Sequence, residues 1–228
     1  MVTNNKEISQ FDSVSVKSRK RVIDHGEVFT SPREVNAMLD LVKDETERID
    51  SRFLEPACGT GNFLSEILRR KLQVVQQRYA KSQYDFERNS VVAFSSIYGI
   101  DILEDNVQEC RIRLFNIFDE EYYTPMFKES CKLTCRDSIR YILSCNIIWG
   151  DALSLKIVGD ESDYIVFAEW SPINENLIKR RDFTFHGLLE HESMMDMPIF
   201  SVMEDGAFVP HPERDYPPVH FLELAYVF

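Results

Sequence analysis

Residues 54–63 read LEPACGTGNF, Leu54 through Phe63. An apolar strand, "RFLEP", enters this stretch, a glycine-bearing turn follows, and a helix leaves it. Gly59 and Gly61 permit a tight turn and a close approach of bare backbone. The helix "NFLSEILRRKLQVVQQRY" opens at Asn62 and sets Phe63, Leu64, Ile67, Leu68, Leu72 and Val75 on one side. Its first N–H groups and the positive end of its dipole face the turn, which suits a phosphate or a carboxylate. No Gly-Lys-Ser/Thr follows, so the turn is not a nucleotide P-loop, and the residues after Gly61 depart from GxGxxG.

Upstream, "TSPREVNAMLDLV" predicts a helix with Pro32 in its first turn and Thr30 or Ser31 as its cap. Val35, Met38, Leu39 and Val42 share one face of it. Downstream, "AKSQYDFERN" reads as polar, and the second half of "VVAFSSIYGIDI" as a buried strand ending at Asp101. "EDNVQECRIRLFNIF" predicts a helix with Val107, Cys110, Leu114 and Ile117 inward. "YYTPMFKESCKLTCRDSIRYILSC" reads as helical, broken early by Pro125. "NIIWGDAL" is a third strand with Asp151 just past its end, and "DYIVFAEW" a fourth. Asn174 and Asn176 read as turn residues. Beyond them a helix is expected around "FTFHGLLEHESMM", then a proline-bearing tail.

Strands alternating with helices predict an α/β fold, a mostly parallel Rossmann-like sheet with helices on both faces, here incomplete. Ligands of such sheets bind beyond the carboxyl ends of the strands. Glu55, Asp101 and Asp151 fall there. A carboxylate after the second strand can accept from both hydroxyls of a ribose, and Asp151 can accept from an exocyclic adenine amine. Residues 1–25 are expected to be a flexible arm, 26–175 the ligand-binding core, and 176–228 a C-terminal extension.

The chain has 228 residues, a formal charge of −12 and 44% hydrophobic residues, which suits one globular domain. No apolar run is long enough to cross a bilayer, and the N-terminus lacks the apolar core of a secretory signal. The five cysteines form no CxxC pair. They point to a reducing, cytoplasmic setting rather than a disulfide frame. The histidines show no metal-ligand spacing. Cys58 lies at a helix N-terminus that lowers a thiol pKa, but packing is the plainer reading of it. Basic residues cluster at Lys17–Arg21, Arg69–Lys71 and Lys179–Arg181 and read as solvated faces. The acidic total opposes tight DNA binding by this chain alone.

EPACGTGNF resembles the S-adenosylmethionine loop of the adenine-specific DNA methyltransferases of restriction–modification systems. "GEVFTSPREVNAML", "IYGIDILEDNVQECRIRLF" and "NIIWGDAL" resemble three further motifs of that family, in family order, over residues 20 to 170. The resemblance implies that S-adenosyl-L-methionine is the cofactor. It places Glu55, Pro56, Ala57, Cys58, Gly59, Gly61, Asn62 and Phe63 at the methionine moiety, with Phe29 and Thr30 closing over its carboxylate. By the same resemblance Asp101 holds the ribose, Ile102 lies against the adenine ring, and Asp151 and Ala152 edge it. Ser31 stands where the family commonly has proline.

The family's catalytic motif is Asn or Asp, Pro, Pro, aromatic, after the fourth strand, where it holds the flipped base. This chain has "VFAEWSPINEN" there, with Trp170 in place of the Asn and Ile173 in place of the aromatic. Glu169 and Trp170 are candidates to touch a base, against plain end-of-strand roles. The family's remaining strands and target-recognition domain do not fit into the residues after Trp170. Two function classes follow. One is an adenine methyltransferase that methylates the exocyclic amine. The other is an inactive or split subunit that binds the cofactor and reaches DNA through a protein partner carrying the catalytic motif and target recognition. An acidic DNA mimic rests on charge alone. The apolar tail "PPVHFLELAYVF" is expected to pack against a second chain or a fifth strand position of this one.

Overall fold

The computed structural model describes residues 30–159, 162–189 and 211–228. Phe29, the 1–25 arm and residues 190–195 of the helix expected around 183–195 lie outside the described residues; of the rest, 183–184 end a strand and 185–189 form a helical turn. The chain is a mixed α/β structure. Helix α1 (Pro32–Asp40) starts as its sequence dictates. Ser31 Oγ accepts from the Glu34 N–H at 3.3 Å, and Glu34 accepts from the Ser31 N–H at 3.2 Å, a capping box with proline behind it. Val35 and Leu39 are buried, whereas Met38 and Val42 are exposed, so the expected apolar face is half as wide. A short helix α2 (Lys43–Thr46) leads to strand β1 (Phe53–Glu55).

Helix α3 (Asn62–Tyr79) follows the glycine turn, and Leu64, Leu68, Leu72 and Val75 on its inner side are fully buried. Each such side chain contributes about 1.5–3 kcal/mol. Helix α4 (Gln83–Ser95) occupies the stretch expected to be polar connection; Ser82 caps it by accepting from the Asp85 N–H. Strand β2 (Ile97–Asp101) is buried along its whole length. Helix α5 (Glu104–Asn116) turns Val107, Cys110 and Leu114 inward and runs into a π-helical segment, 117–123. A four-residue helix α6 (Thr124–Phe127) carries Pro125 in its first turn, and α7 (Leu133–Asn146) leads to strand β3 (Ile147–Asp151).

β1, β2 and β3 are parallel neighbours in that order, with Glu55 opposite Gly99 and Asp101 opposite Trp149. The two-residue strand β4 (Lys156–Ile157) closes the far side, antiparallel to β3. The helices and the Ile97–Ile147 side of this sheet form the main core.

The fourth expected strand departs from the parallel sheet. β5 (Val166–Ile173) turns back at Asn174, whose φ is +59°, and pairs antiparallel with β6 (Leu177–Thr184) along eight residue pairs. The sheet is extended on β6 by β7 (Arg214–Asp215) and β8 (Val219–His220). This corrects the expectation of helices on both faces. The β2 side chains Tyr98 and Ile100 meet Ile165, Phe167 and Phe185 in a second small core, and the Tyr98 hydroxyl donates to the Ala168 carbonyl at 3.0 Å. The aromatic residues of the hairpin do the covering that a second helical layer was expected to do. The tail also finds its place within the chain: β8 pairs with β6, and Val219, Phe221 and Leu224 are buried in the main core.

Candidate functional site

The turn after β1 is shaped by two left-handed glycines. Gly59 has φ +52° and Gly61 has φ +84°. Gly61 is also the residue before the first turn of α3, and a Cβ there would lie 2.7 Å from Cys110 Sγ. A Cβ on Gly59 would meet no atom within 4 Å, so this glycine faces open space. The turn closes on itself through Gly61 N–H to the Cys58 carbonyl, and onto β2 through Cys58 N–H to the Ile100 carbonyl, both 2.8 Å. Pro56 and Ala57 are exposed, and Asn62 and Phe63 half-buried, at the start of an 18-residue helix whose first-turn N–H groups have no partner within the helix. Unpartnered N–H groups at a helix start are of the kind that suit an anionic group.

Thr30 reaches the same corner. The Asn62 amide donates to the Thr30 carbonyl at 3.2 Å and accepts from Arg113 at 2.6 Å; the Arg113 guanidinium also donates to the Thr60 carbonyl at 3.4 Å. Burial lowers the Arg113 pKa. Arg113 is a site residue that sequence reasoning missed, because its contact crosses 51 positions and nothing in the helix pattern marks it.

Asp101 sits at the end of β2 and is 8% exposed. Its carboxylate accepts from the Gly59 N–H at 2.8 Å, the Leu103 N–H at 2.9 Å and the Asn106 amide at 3.3 Å. Of about four acceptor positions on a carboxylate, three are taken. The acid therefore ties the glycine turn to β2, and a ribose diol gains both its hydrogen bonds only if the Gly59 or Asn106 donor lets go. Ile102, directly after it, is 49% exposed, and Leu153, after the end of β3, is 96% exposed. Both lie past the carboxyl ends of adjacent parallel strands, where an aromatic ring can be covered by apolar surface. Asp151 accepts from the Leu153 N–H at 2.9 Å, and that bond, with Ser154, holds its pKa low. Ala152 packs on the second core. Glu55 is half-buried, and burial raises its pKa against the opposing N–H of Ala57.

Cys58 is a packing residue. The neighbouring Cys110 thiol and burial push its pKa far up, which overturns the expected lowering by the helix terminus. The basic clusters that fall on described residues are occupied. Arg69 pairs with Glu121, Arg70 with Asp40 and Glu66, Lys179 with Asp215, Arg180 with Asp182, and Arg181 with Glu169. Lys71 is not a surface residue at all: it is fully buried and donates to the carbonyls of Arg48, Ile49 and Ser51.

At the position of the family's catalytic motif both candidates are committed elsewhere. Trp170 is 3% exposed and its indole N–H donates to Asn146 Oδ1 at 2.9 Å. Glu169 accepts from Arg52 at 2.7 Å and from Arg181 at 3.0 Å. Burial works against its charge, but Ser171 and the two guanidiniums hold its pKa below the usual range.

Fold and site together define a mixed α/β chain with a mostly parallel sheet and a glycine turn at the carboxyl end of its first strand. Comparison with protein-family models, curated proteins and solved structures returns no match. Among the described residues no cluster of three metal-ligating side chains exists, and no helix is long and apolar enough to cross a membrane.

Proposed function

We propose that this chain is the S-adenosyl-L-methionine-binding subunit of a DNA adenine methylation system of restriction–modification type, its base-holding half supplied by another protein. The reading is carried by one arrangement: a two-glycine turn between β1 and the N-terminus of α3, flanked by Asp101 and Asp151 at the ends of the next two parallel strands. Asn62, Phe63 and the α3 N-terminus would take the methionine carboxylate, with Thr30 over it. Ile102 would lie against the adenine. Asp101 would take one ribose hydroxyl at its remaining acceptor position and the second as the Gly59 or Asn106 donor lets go. The cofactor supplies an electrophilic methyl on a sulfonium; the residues named here bind and orient it.

A self-contained adenine methyltransferase is the second reading, and the burial of Trp170 and the ion pairs of Glu169 favour the first over it. Titration calorimetry with S-adenosylmethionine tests the proposal. One site is expected. Gly61→Val should abolish it, by strain at φ +84° and collision with Cys110. Asp101→Ala should weaken it by roughly 10- to 100-fold, because the turn loses its tether along with the charge-assisted bonds. Absence of binding by the unaltered chain at millimolar cofactor refutes the reading.

A further inference from the structure

The Asp101 carboxylate divides its acceptor positions unevenly. Among the described residues Oδ2 accepts only from the Gly59 N–H, at 2.8 Å. Oδ1 accepts twice, from the Leu103 N–H at 2.9 Å and from the Asn106 side-chain amide at 3.3 Å. Each carboxylate oxygen offers about two positions, so the open one lies on Oδ2 and Oδ1 is full. The two hydroxyls of a ribose diol are neighbours, as are the two oxygens of a carboxylate. Side by side, each hydroxyl meets one oxygen.

The hydroxyl on Oδ2 fills an open position and leaves the Gly59 bond alone. The hydroxyl on Oδ1 needs a donor to leave. The Leu103 N–H is main chain at the step into α5, two residues from Asp101, and it cannot leave unless the backbone moves. Asn106 holds the longest of the three bonds and needs only a side-chain rotation. It is 1% exposed, so its amide gives up a bond to a charge inside the protein.

We infer that Asn106 is a specificity-determining residue at the nucleoside end of the site: its amide competes with the second hydroxyl of a ribose diol for Asp101 Oδ1. The inference rests on the cofactor reading and adds to it the residue that sets how strictly a ribose is told from a deoxyribose. A hydroxyl bonded to a carboxylate and a buried amide deprived of one are of similar magnitude, each roughly 10- to 100-fold in affinity. In the unaltered chain the gain from the second hydroxyl is therefore offset by the loss of the Asn106 bond. A ligand with a single hydroxyl uses Oδ2 and leaves Asn106 in place.

Titration calorimetry of the full chain with S-adenosylmethionine and its 2′-deoxy and 3′-deoxy counterparts tests this. The unaltered chain should prefer the full ribose by less than about fivefold. Asn106→Leu, close to asparagine in size, should bind S-adenosylmethionine at least about fivefold tighter and either deoxy counterpart within about twofold of the unaltered chain. A second measurement needs no variant. In the unaltered chain the side-chain amide proton of Asn106 should move upfield in its magnetic resonance spectrum with saturating S-adenosylmethionine, as the bond to the carboxylate is lost, and keep its place with either deoxy counterpart. Three results overturn the inference while the cofactor reading stands. A stronger preference for the full ribose in the unaltered chain means that no donor has to yield. An Asn106 proton that stays in place while the Gly59 amide loses its protection from exchange means that the glycine turn yields instead. An Asn106→Leu chain that weakens all three ligands alike, with the proton of the unaltered chain unmoved, makes Asn106 a structural residue. No binding of S-adenosylmethionine by the unaltered chain refutes the cofactor reading, and the inference falls with it.

Discussion

Lys71 carries a charge into the main core, and its surroundings explain why the chain tolerates it. The ammonium donates to the carbonyls of Arg48, Ile49 and Ser51 at 3.0, 3.0 and 2.6 Å, and lies 2.9 Å from the Ser96 hydroxyl. These are the main-chain groups of the α2–β1 connection, which forms no ladder of its own. The lysine satisfies them in place of secondary structure and so sets where β1 begins. Burial lowers its pKa from 10.5 to about 7, against the attraction of the Asp50 and Glu45 carboxylates. The unfolded chain keeps the proton up to the ordinary lysine range. Between about 7 and 10.5 the unfolded state therefore binds more protons, and stability rises with pH across that window. Urea unfolding at pH 7 and pH 9 should show the native chain gaining stability relative to Lys71→Met. At either pH Lys71→Met should lose about 1–3 kcal/mol, because the Ser51 carbonyl loses its donor while those of Arg48 and Ile49 keep only the Ser51 N–H and the Ser96 hydroxyl. A difference between the two chains that is flat with pH removes the titration from the account.

The C-terminal elements are built on hydrophobic burial and on one aromatic enclosure. Phe221 and Leu224 are fully buried, and Phe221 meets Tyr84 of α4 edge to face at 5.3 Å. The terminal Phe228 lies beside Trp170, Tyr141 and Tyr216, and all four rings surround the Arg180 guanidinium at 4.8–5.8 Å. Phe221→Ala should cost about 3–5 kcal/mol in chemical unfolding without changing the mass found by light scattering. A shift in mass with stability retained would instead make the tail an oligomer contact. The expectation that this apolar tail needed another chain came from its composition alone, which cannot report that β6 offers it an edge. The elements that sequence reasoning reached and missed differ in a physical way. α3 was legible because six apolar residues repeat on one face and Gly61 marks its start. α4 was not, because its buried face includes the polar residues Glu87 and Ser90. Glu87 is fully buried, accepting from Gln83 and pairing with Lys132 at 2.7 Å, so a charged residue does the work of an apolar one. β6 was hidden likewise. Its run Lys179-Arg180-Arg181 reads as a basic surface cluster until Asp215 and Glu169 are placed across from it. The glycine turn could be read because its residues adjoin in sequence; Arg113 could not, because only the packing of α5 brings it to Asn62.

At the scale of the whole molecule, charge and topology decide what the chain can do alone. Electrostatic attraction to phosphates dominates DNA affinity, and a chain of −12 begins with the wrong sign. Its described basic clusters do not correct this, since Arg69, Arg70, Lys179, Arg180 and Arg181 all hold carboxylates. Releasing an arginine from a largely buried pair such as Arg180–Asp182 to meet a phosphate leaves the carboxylate behind, which offsets the gain. The topology argues in the same direction. Holding a flipped base requires a stacking ring and an amide at the mouth of the cofactor site. At that point of the chain β5 leaves the parallel sheet and pairs with β6, which buries Trp170 against Asn146 and locks Glu169 between Arg52 and Arg181. The purified chain should therefore transfer no tritiated methyl from S-adenosylmethionine to mixed genomic DNA above blank. It should also leave a 30-base-pair duplex unshifted in a native gel at roughly 150 mM salt, where exposed phosphate contacts are already screened. Methyl transfer that survives purification and disappears in Asp101→Ala would make the chain a complete enzyme and set the subunit reading aside. A duplex shift without transfer would contradict the charge argument alone, and would direct attention to the basic run Lys17–Arg21 as the DNA contact.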